Sequence, residues 1–539
     1  MRRWNGWGKE DTNYPLPPIA LQYLQNLLGE GFQKPDVPMD AIMAGMPASR
    51  LWDNASITTN PETRLRHARG QSLPDWIALR SGRVGGFPDG VAFPASEQEI
   101  RDIFSFASES DIQIIPYGGG TSVVGHVNPI PAEKPILTVN LGRLGQLHQL
   151  DTTSQLATLG AGICGPDLEA TLNRQGYTLG HFPQSHELST LGGWIATRSS
   201  GQQSYYYGRI EDLFAGGHVE TPQGPLQLPS LPASAAGPDL RQVILGSEGR
   251  MGILTQATVR IRPLPEMEHF YGVFFKDWDA GVAALREAAQ EEISLSMMRL
   301  SDPLETQTTL ILSGRERLVE LSDRGLNLIG YGQGRCLLIY GVTGDRQDVP
   351  RARSRANAIF RSHGGLPAIS MIGGMWNKSR FLSPYLRNTL WDLGYAIDTL
   401  ETAVPWSSVP NAHMDITSAL QKTASEMERP LHVFAHLSHV YRDGASIYVT
   451  FIFPREPDPD SLLHYWQALK SSASQVILEV GGTISHQHGV GLDHAPYLPR
   501  EKGTLGIQAL DALCKQFDPE GILNPGKLIK DSMQMTTRG

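Results

Sequence analysis

Ile112-Gln113-Ile114-Ile115-Pro116-Tyr117-Gly118-Gly119-Gly120-Thr121-Ser122 is the stretch on which the fold turns. Ahead of it, Ala95–Ser110 sets Ile100, Ile103, Phe104 and Ala107 at helical spacing, so a helix leads into a short strand over 112–115. Pro116 and three successive glycines then break the chain. No lysine follows, so this is not a nucleoside-triphosphate loop of the Walker type. Successive unhindered main-chain N–H groups can still form a nest for an anion, with Thr121 and Ser122 adding hydroxyl donors.

Other loops share this character. Pro183-Gln184-Ser185-His186-Glu187-Leu188-Ser189-Thr190-Leu191-Gly192-Gly193-Trp194 is polar and glycine-rich together. Thr197-Arg198-Ser199-Ser200-Gly201 and Gly246-Ser247-Glu248-Gly249-Arg250-Met251-Gly252-Ile253-Leu254 follow it. Several such loops suit a long ligand with a pyrophosphate, held mainly by main chain. Gly160-Ala161-Gly162-Ile163-Cys164-Gly165 also fits the dinucleotide pattern between a strand (156–159) and a helix. The next strand, Tyr177–Gly180, lacks the acidic residue that would hold a ribose, which favours a tight strand–helix turn.

Composition bounds the rest. The chain has 539 residues, enough for about three or four folding units. Apolar residues are 40% and charged residues 19%, values of a globular chain. A net charge of −9 argues against nucleic acid as a partner. Cys164, Cys336 and Cys514 are odd in number and far apart, so we expect buried free thiols and a reducing cytosol. Met1–Gly8 carries twin arginines without an apolar run, and no segment approaches the ~20 apolar residues of a membrane span.

Four stretches emerge. Residues 1–85 are an aromatic and proline-rich lead-in, and 86–265 an α/β region carrying the glycine loops. Residues 266–475 read as a mixed layer, with strands at 271–275, 337–340 and 447–453 and an amphipathic helix over Trp278–Gln290. Residues 476–539 bring a strand over 476–480, a glycine/histidine loop and a last helix, Leu505–Phe517.

Gly118–Ser122, Gly192-Gly193, Gly246–Ile253 and Asp518-Pro519-Glu520-Gly521-Ile522-Leu523-Asn524-Pro525-Gly526-Lys527 together resemble the vanillyl-alcohol oxidase / p-cresol methylhydroxylase flavoproteins. The resemblance implies an α+β chain: a two-subdomain FAD-binding fold of the p-cresol methylhydroxylase type, with an inserted α+β substrate (cap) domain. It implies that 476–539 completes the site and that FAD is held non-covalently. On this reading FAD meets Pro116–Ser122, Gln184–Thr190, Thr197–Ser200 and Glu248–Leu254. His126, six residues past the nest, is a conceivable covalent attachment point, and the resemblance argues against its use.

Within the superfamily the chain resembles the alkyldihydroxyacetone-phosphate synthase family, through Trp4–Gly8, Leu188–Trp194, Tyr207-Gly208-Arg209-Ile210-Glu211-Asp212, Arg299–Asp302, Tyr385-Leu386-Arg387 and Ser485–Gly491. The implied activity replaces the acyl group of an acyl-dihydroxyacetone phosphate by a long-chain alcohol, through addition of flavin N5 to C1 and without net redox change. Arg299 and Arg387 would hold the phosphate, since a guanidinium fork suits that anion. Tyr448 matches the family's acid/base tyrosine; its plain alternative is a tyrosine packed in a sheet.

His486-Gln487-His488 stands where the family has three histidines. Glutamine does not titrate, so the role of a middle histidine could pass to His486 and His488, which could instead bind an anion. They have no third ligand at a metal-binding spacing, and no metal is expected. His432, His436 and His439 lie in a strand-like segment and read as structural or supporting residues. Gln487 keeps a second activity open, the FAD-linked oxidation of a 2-hydroxy acid or glycerol-phosphate-like alcohol. A non-catalytic FAD scaffold is the third reading. A lipid substrate makes peripheral membrane contact an expectation and leaves a homodimer open.

Overall fold

The computed structural model describes residues 1–312, 325–368 and 371–530. The glycine nest lies at the C-terminal end of strand Gln113–Tyr117. This strand pairs in parallel with Ile136–Asn140, which pairs in parallel with Gly90–Ala92; Ile57–Thr58 closes the sheet antiparallel. Helix Glu97–Glu109 covers it with Ile100, Ile103, Phe104 and Ala107, the residues expected from their spacing. Ser96 caps that helix by accepting the Glu99 N–H.

A second, five-stranded antiparallel sheet runs in the order Leu147–Asp151, Leu156–Gly160, Ile253–Arg260, Phe214–Thr221, Gly224–Leu228. Ile253–Arg260 alternates buried and part-exposed residues toward its end, as a half-covered strand does. Gly160–Gly165 is here a turn from strand to helix, packed on the Leu141 and Leu144 carbonyls.

The third sheet has seven antiparallel strands, ordered Leu366–Pro367, Met267–Phe275, Cys336–Gly344, Met297–Ser301, His432–Val440, Gly444–Pro454, Tyr395–Pro405. All nine residues of Cys336–Gly344 are buried, which explains its unbroken apolar run. Helices Trp278–Gln290, Asp348–Ser362, Val409–Glu426 and Pro459–Glu479 contribute to its core.

Two expectations are corrected. Residues 476–480 are not a strand: Val476–Glu479 end the helix Pro459–Glu479, and Val480 caps it. Leu462, Tyr465, Trp466, Leu469, Ala473 and Ile477 form one buried helical face, and that packing overrides the β-branched run. The division at 475/476 therefore falls inside a helix. The last helix begins earlier than Leu505, at Leu498, and is kinked at Gly503 (φ 69°, ψ 170°).

After that helix the chain returns to the nest. Asp518 accepts the N–H groups of Ile522 and Leu523, at 3.1 and 2.7 Å. Ile114 donates to Ile522 O and Asn524 donates back to Ile114 O, each at 2.7 Å, so the segment occupies the free edge of strand Gln113–Tyr117. Asn524 Nδ2 then donates to Glu248 O (2.7 Å) and His126 O (3.2 Å). The 1–85 segment crosses the cap, where Asn388 exchanges two hydrogen bonds with the Trp7 main chain.

Asn524→Ala leaves two buried carbonyls without their donor. The expected loss is about 1–3 kcal/mol of stability, read as a lower denaturant midpoint with an unchanged slope. A midpoint equal to the parent's refutes this account of the C-terminal return.

Candidate active site

A cavity of about 940 Å³ runs between the two smaller sheets and the seven-stranded one. Gly118, Gly119, Gly120, Thr121 and Ser122 line one end. None of their main-chain N–H groups finds an acceptor among the described residues. The glycines are required by close packing: a Cβ on Gly119 would run into Leu188 O, one on Gly118 into Thr190 Oγ1, and Gly120 has φ +63°. Asn524 Oδ1 is a buried acceptor without a partner at the same cavity. Free donors in a row, closed by residues 188–190, fit the phosphates of FAD.

The remaining loops divide by side chain. Pro116, Tyr117, Gln184, Ser185, Ser189, Thr190, Thr197, Ser199, Ser200, Glu248, Gly249, Gly252, Ile253 and Leu254 line the cavity. Six of the residues expected to meet FAD turn their side chains elsewhere. Arg198 donates to Leu245 O and Gln242 Oε1, and Glu187 accepts from Tyr385 Oη. Arg250 donates to Leu523 O. Met251 lies in the core, and Leu188 packs on the core of the cap. His186 stacks on Trp194, where burial and Arg380 push its pKa down to about 4. In a nest built from main chain, side chains are free to serve the packing. Cys336 and Cys514 are buried as expected, whereas Cys164 is only half-buried.

The far end carries the titratable groups. Arg387 lies over the Trp76 ring at 4.4 Å and donates from Nη1 to Gln71 O at 2.7 Å. Its buried Nη2 has no hydrogen-bond partner among the described residues. Burial pushes the Arg387 pKa down, with Asp398 opposing it. Tyr448 donates to Thr399 Oγ1 at 3.1 Å and stacks on His436 at 5.0 Å. Burial raises the phenol's pKa, against the Thr399 hydrogen bond, so the group stays protonated.

Arg299 lines the cavity beside them. Its Nη2 donates to Glu305 Oε1 at 2.6 Å and its Nη1 to Ser301 Oγ at 3.2 Å, two of the five N–H groups of the guanidinium. His436 Nδ1 lies 2.9 Å from the same Glu305 oxygen. Burial raises the Glu305 pKa, but Arg299 and His436 outweigh it and hold it at about 2. Arg299 thus orients the ring on which Tyr448 stacks.

Gln487 and His488 line the cavity, while His486 lies behind them. His486 Nε2 is 2.7 Å from Arg209 Nη1 and 2.5 Å from Tyr441 Oη. Glu401, 2% exposed, accepts the main-chain N–H groups of Gln487 (2.6 Å) and His488 (2.9 Å). His432, His436 and His439 take separate partners in Thr308, Glu305 and Ser200. His126 Nδ1 is 2.8 Å from Ser122 Oγ.

Glu305, Glu401 and Tyr441 were missed in the sequence. Each is one polar residue in an ordinary strand, helix or turn, and tertiary packing brings it to the site. The sole cue was the uninterrupted 395–405 stretch, whose central Glu401 stands opposite Tyr448 in the ladder.

Comparison with known proteins bears on this geometry. Residues 88–227 match the family model "FAD binding domain", and 264–528 match "FAD linked oxidases, C-terminal domain". The alkyldihydroxyacetonephosphate synthase of Dictyostelium discoideum is 33% identical over 473 residues, covering 86% of this chain and 77% of the relative. A solved alkyldihydroxyacetonephosphate synthase structure superposes with TM-score 0.83 at 27% identity, over 98% of this chain and 99% of the other. Substrate-bound p-cresol methylhydroxylase superposes with TM-score 0.67 at 13% identity, over 94% and 96% of the two chains, and shares the fold.

Glu305 gives the site a pH signature. Its folded pKa lies near 2, below the ordinary 4.5, so its contribution to stability is complete above pH 4.5 and lost as pH falls toward 2. The gap in melting temperature between the parent and Glu305→Gln should be widest above pH 4.5 and narrow with acid. A gap that stays constant from pH 7 to pH 3 refutes the pairing.

Proposed function

The chain belongs to the alkyldihydroxyacetone-phosphate synthase family of FAD-linked proteins, and from that premise we propose how its own residues perform an acyl-for-alkyl exchange. The substrate is an acyl-dihydroxyacetone phosphate. The C1–O bond to the acyl group breaks and its electron pair leaves with the fatty acid. A long-chain alcohol forms the new C1–O bond, with no net redox change. FAD, when bound, supplies the nucleophilic assistance this exchange needs at C1.

One observation carries the reading: a single cavity joins the free-donor nest, an unpaired arginine N–H and an apolar wall. Gly118–Ser122 hold the FAD phosphates. Arg387 Nη2 takes a substrate phosphate oxygen, oriented by Trp76 beneath and Gln71 O behind. Phe274, Leu310, Leu337, Ile339, Ile372 and Met375 line the wall that receives the alkyl chain. Tyr448, kept protonated by burial, donates a hydrogen bond to the departing carboxylate oxygen and retains its proton.

Gln487 in place of a histidine leaves proton transfer intact, because His488 lines the cavity beside it and Gln487 contributes its main-chain N–H. Among the described residues no helix is long and apolar enough to cross a membrane, and the lipid substrate is loaded by peripheral contact.

The test is incorporation of labelled long-chain alcohol into product by purified protein, with anaerobic flavin spectra taken alongside. Arg387→Ala should raise KM for the acyl substrate roughly 10–100-fold, as expected for a lost charge-assisted hydrogen bond. Tyr448→Phe should lower kcat by about 10²–10⁴ with KM near the parent value. No incorporation, or bleaching of the flavin by a hydroxy acid, replaces this reading by an oxidative one.

A further inference from the structure

Proton removal from the incoming alcohol needs a base, and the exchange itself does not say which. The alcohol O–H proton must leave while its electron pair stays on the oxygen that bonds C1. The fatty acid departs as carboxylate at neutral pH, so each turnover releases one proton. His488 is the histidine of its loop whose ring faces the cavity. Its Nδ1 lies 3.4 Å from Glu401 Oε1, and its Nε2 makes no hydrogen bond among the described residues.

Glu401 is itself anchored through one oxygen. Oε1 accepts two main-chain N–H groups, and Oε2 faces His486 Nδ1 at 3.7 Å, both of the latter atoms buried and without a partner. Arg209 can only donate, so the His486 nitrogen 2.7 Å from it, Nε2, is the acceptor and the ring proton sits on Nδ1, toward Glu401. Both carboxylate oxygens therefore face imidazole nitrogens. A buried carboxylate gripped in this way fixes the tautomer of the ring it faces.

We propose that Glu401 is a positioning residue that holds His488 with its proton on Nδ1 and its Nε2 lone pair toward the cavity, making His488 the base that accepts the alcohol proton. The assignment rests on the acyl-exchange reading for the identity of the proton donor. The pairing of Glu401 with His488 does not depend on it. Arg209 and Tyr441 lock the far side through His486, and both line a second cavity of about 1010 Å³ behind the site. Burial raises the Glu401 pKa, but His488, His486 and the Gln487 N–H outweigh it, and the group remains a carboxylate. The other charged or titratable groups around the pair are His439, Tyr441 and Tyr448 on neighbouring strands and turns, Arg209, and His494 with Lys470 behind the loop.

Glu401→Gln keeps an oxygen for the main-chain N–H groups and removes the charge. Histidine C2–H exchange followed by mass spectrometry, on FAD-loaded protein without substrate, should show the exchange profile of His488 displaced to lower pH than in the parent, since a carboxylate 3.4 Å away favours the protonated ring. The acidic limb of the kcat profile should move in the same direction, with kcat reduced and KM unchanged. Glu401→Asp, which keeps the charge but withdraws it, should fall between, and it carries the test if the Gln variant does not fold. An unmoved His488 titration in either folded variant overturns the proposal. A shifted titration in a protein that incorporates no alcohol upholds the pairing and overturns the base role together with the exchange reading.

Discussion

Four main-chain N–H groups in the loop 487–491 are taken by two buried carboxylates, and the site depends on that clamp. Glu401, from the seven-stranded sheet, accepts from Gln487 and His488. Glu248, beside the nest, accepts from Val490 and Gly491 at 2.5 and 2.8 Å. The loop thus takes its position from both sides of the cavity at once. Charge-assisted hydrogen bonds in a dry environment are strong, and leaving either carboxylate unpaired would cost far more than a surface contact. Asn524 extends the clamp by donating to the Glu248 carbonyl, so the last segment and the nest share one support.

The reacting end repeats the device. Glu305 gathers Arg299 and His436 as Glu401 gathers His486 and His488. Buried charges occur here in matched groups, as desolvation requires. Between these groups Tyr448 stays neutral and Arg387 keeps its Nη2 unspent among the described residues. The apolar wall beyond them lets a hydrocarbon chain lie in the same cavity as a phosphate.

Much of this was legible in the chain. The nest, the capped helix before it and the amphipathic Trp278–Gln290 helix follow from glycine runs and periodicity, which are local. Resemblance in ordered motifs identified the cofactor and the family. The strand expected at 476–480 failed because a short β-branched stretch, Val476-Ile477-Leu478-Glu479-Val480, does not reveal that it ends a 21-residue helix. The contact of Arg299 with Glu305, only six residues on, was not legible because it forms across a strand-to-helix turn.

The sequence by itself determined which backbone could approach a phosphate, since only unhindered glycines admit Leu188–Thr190 so close to the nest. It also determined the order of the elements and the side chains available for chemistry. The tertiary structure decided which of those side chains remain free to act. Whether an arginine binds substrate or a carboxylate, and whether a histidine faces the cavity or supports another, depends on the partners the fold sets beside it, near or far in the chain. Arg209 and His486 are 277 residues apart and in contact. Desolvation makes such pairings decisive, because a buried charge takes its state from whatever the fold sets beside it.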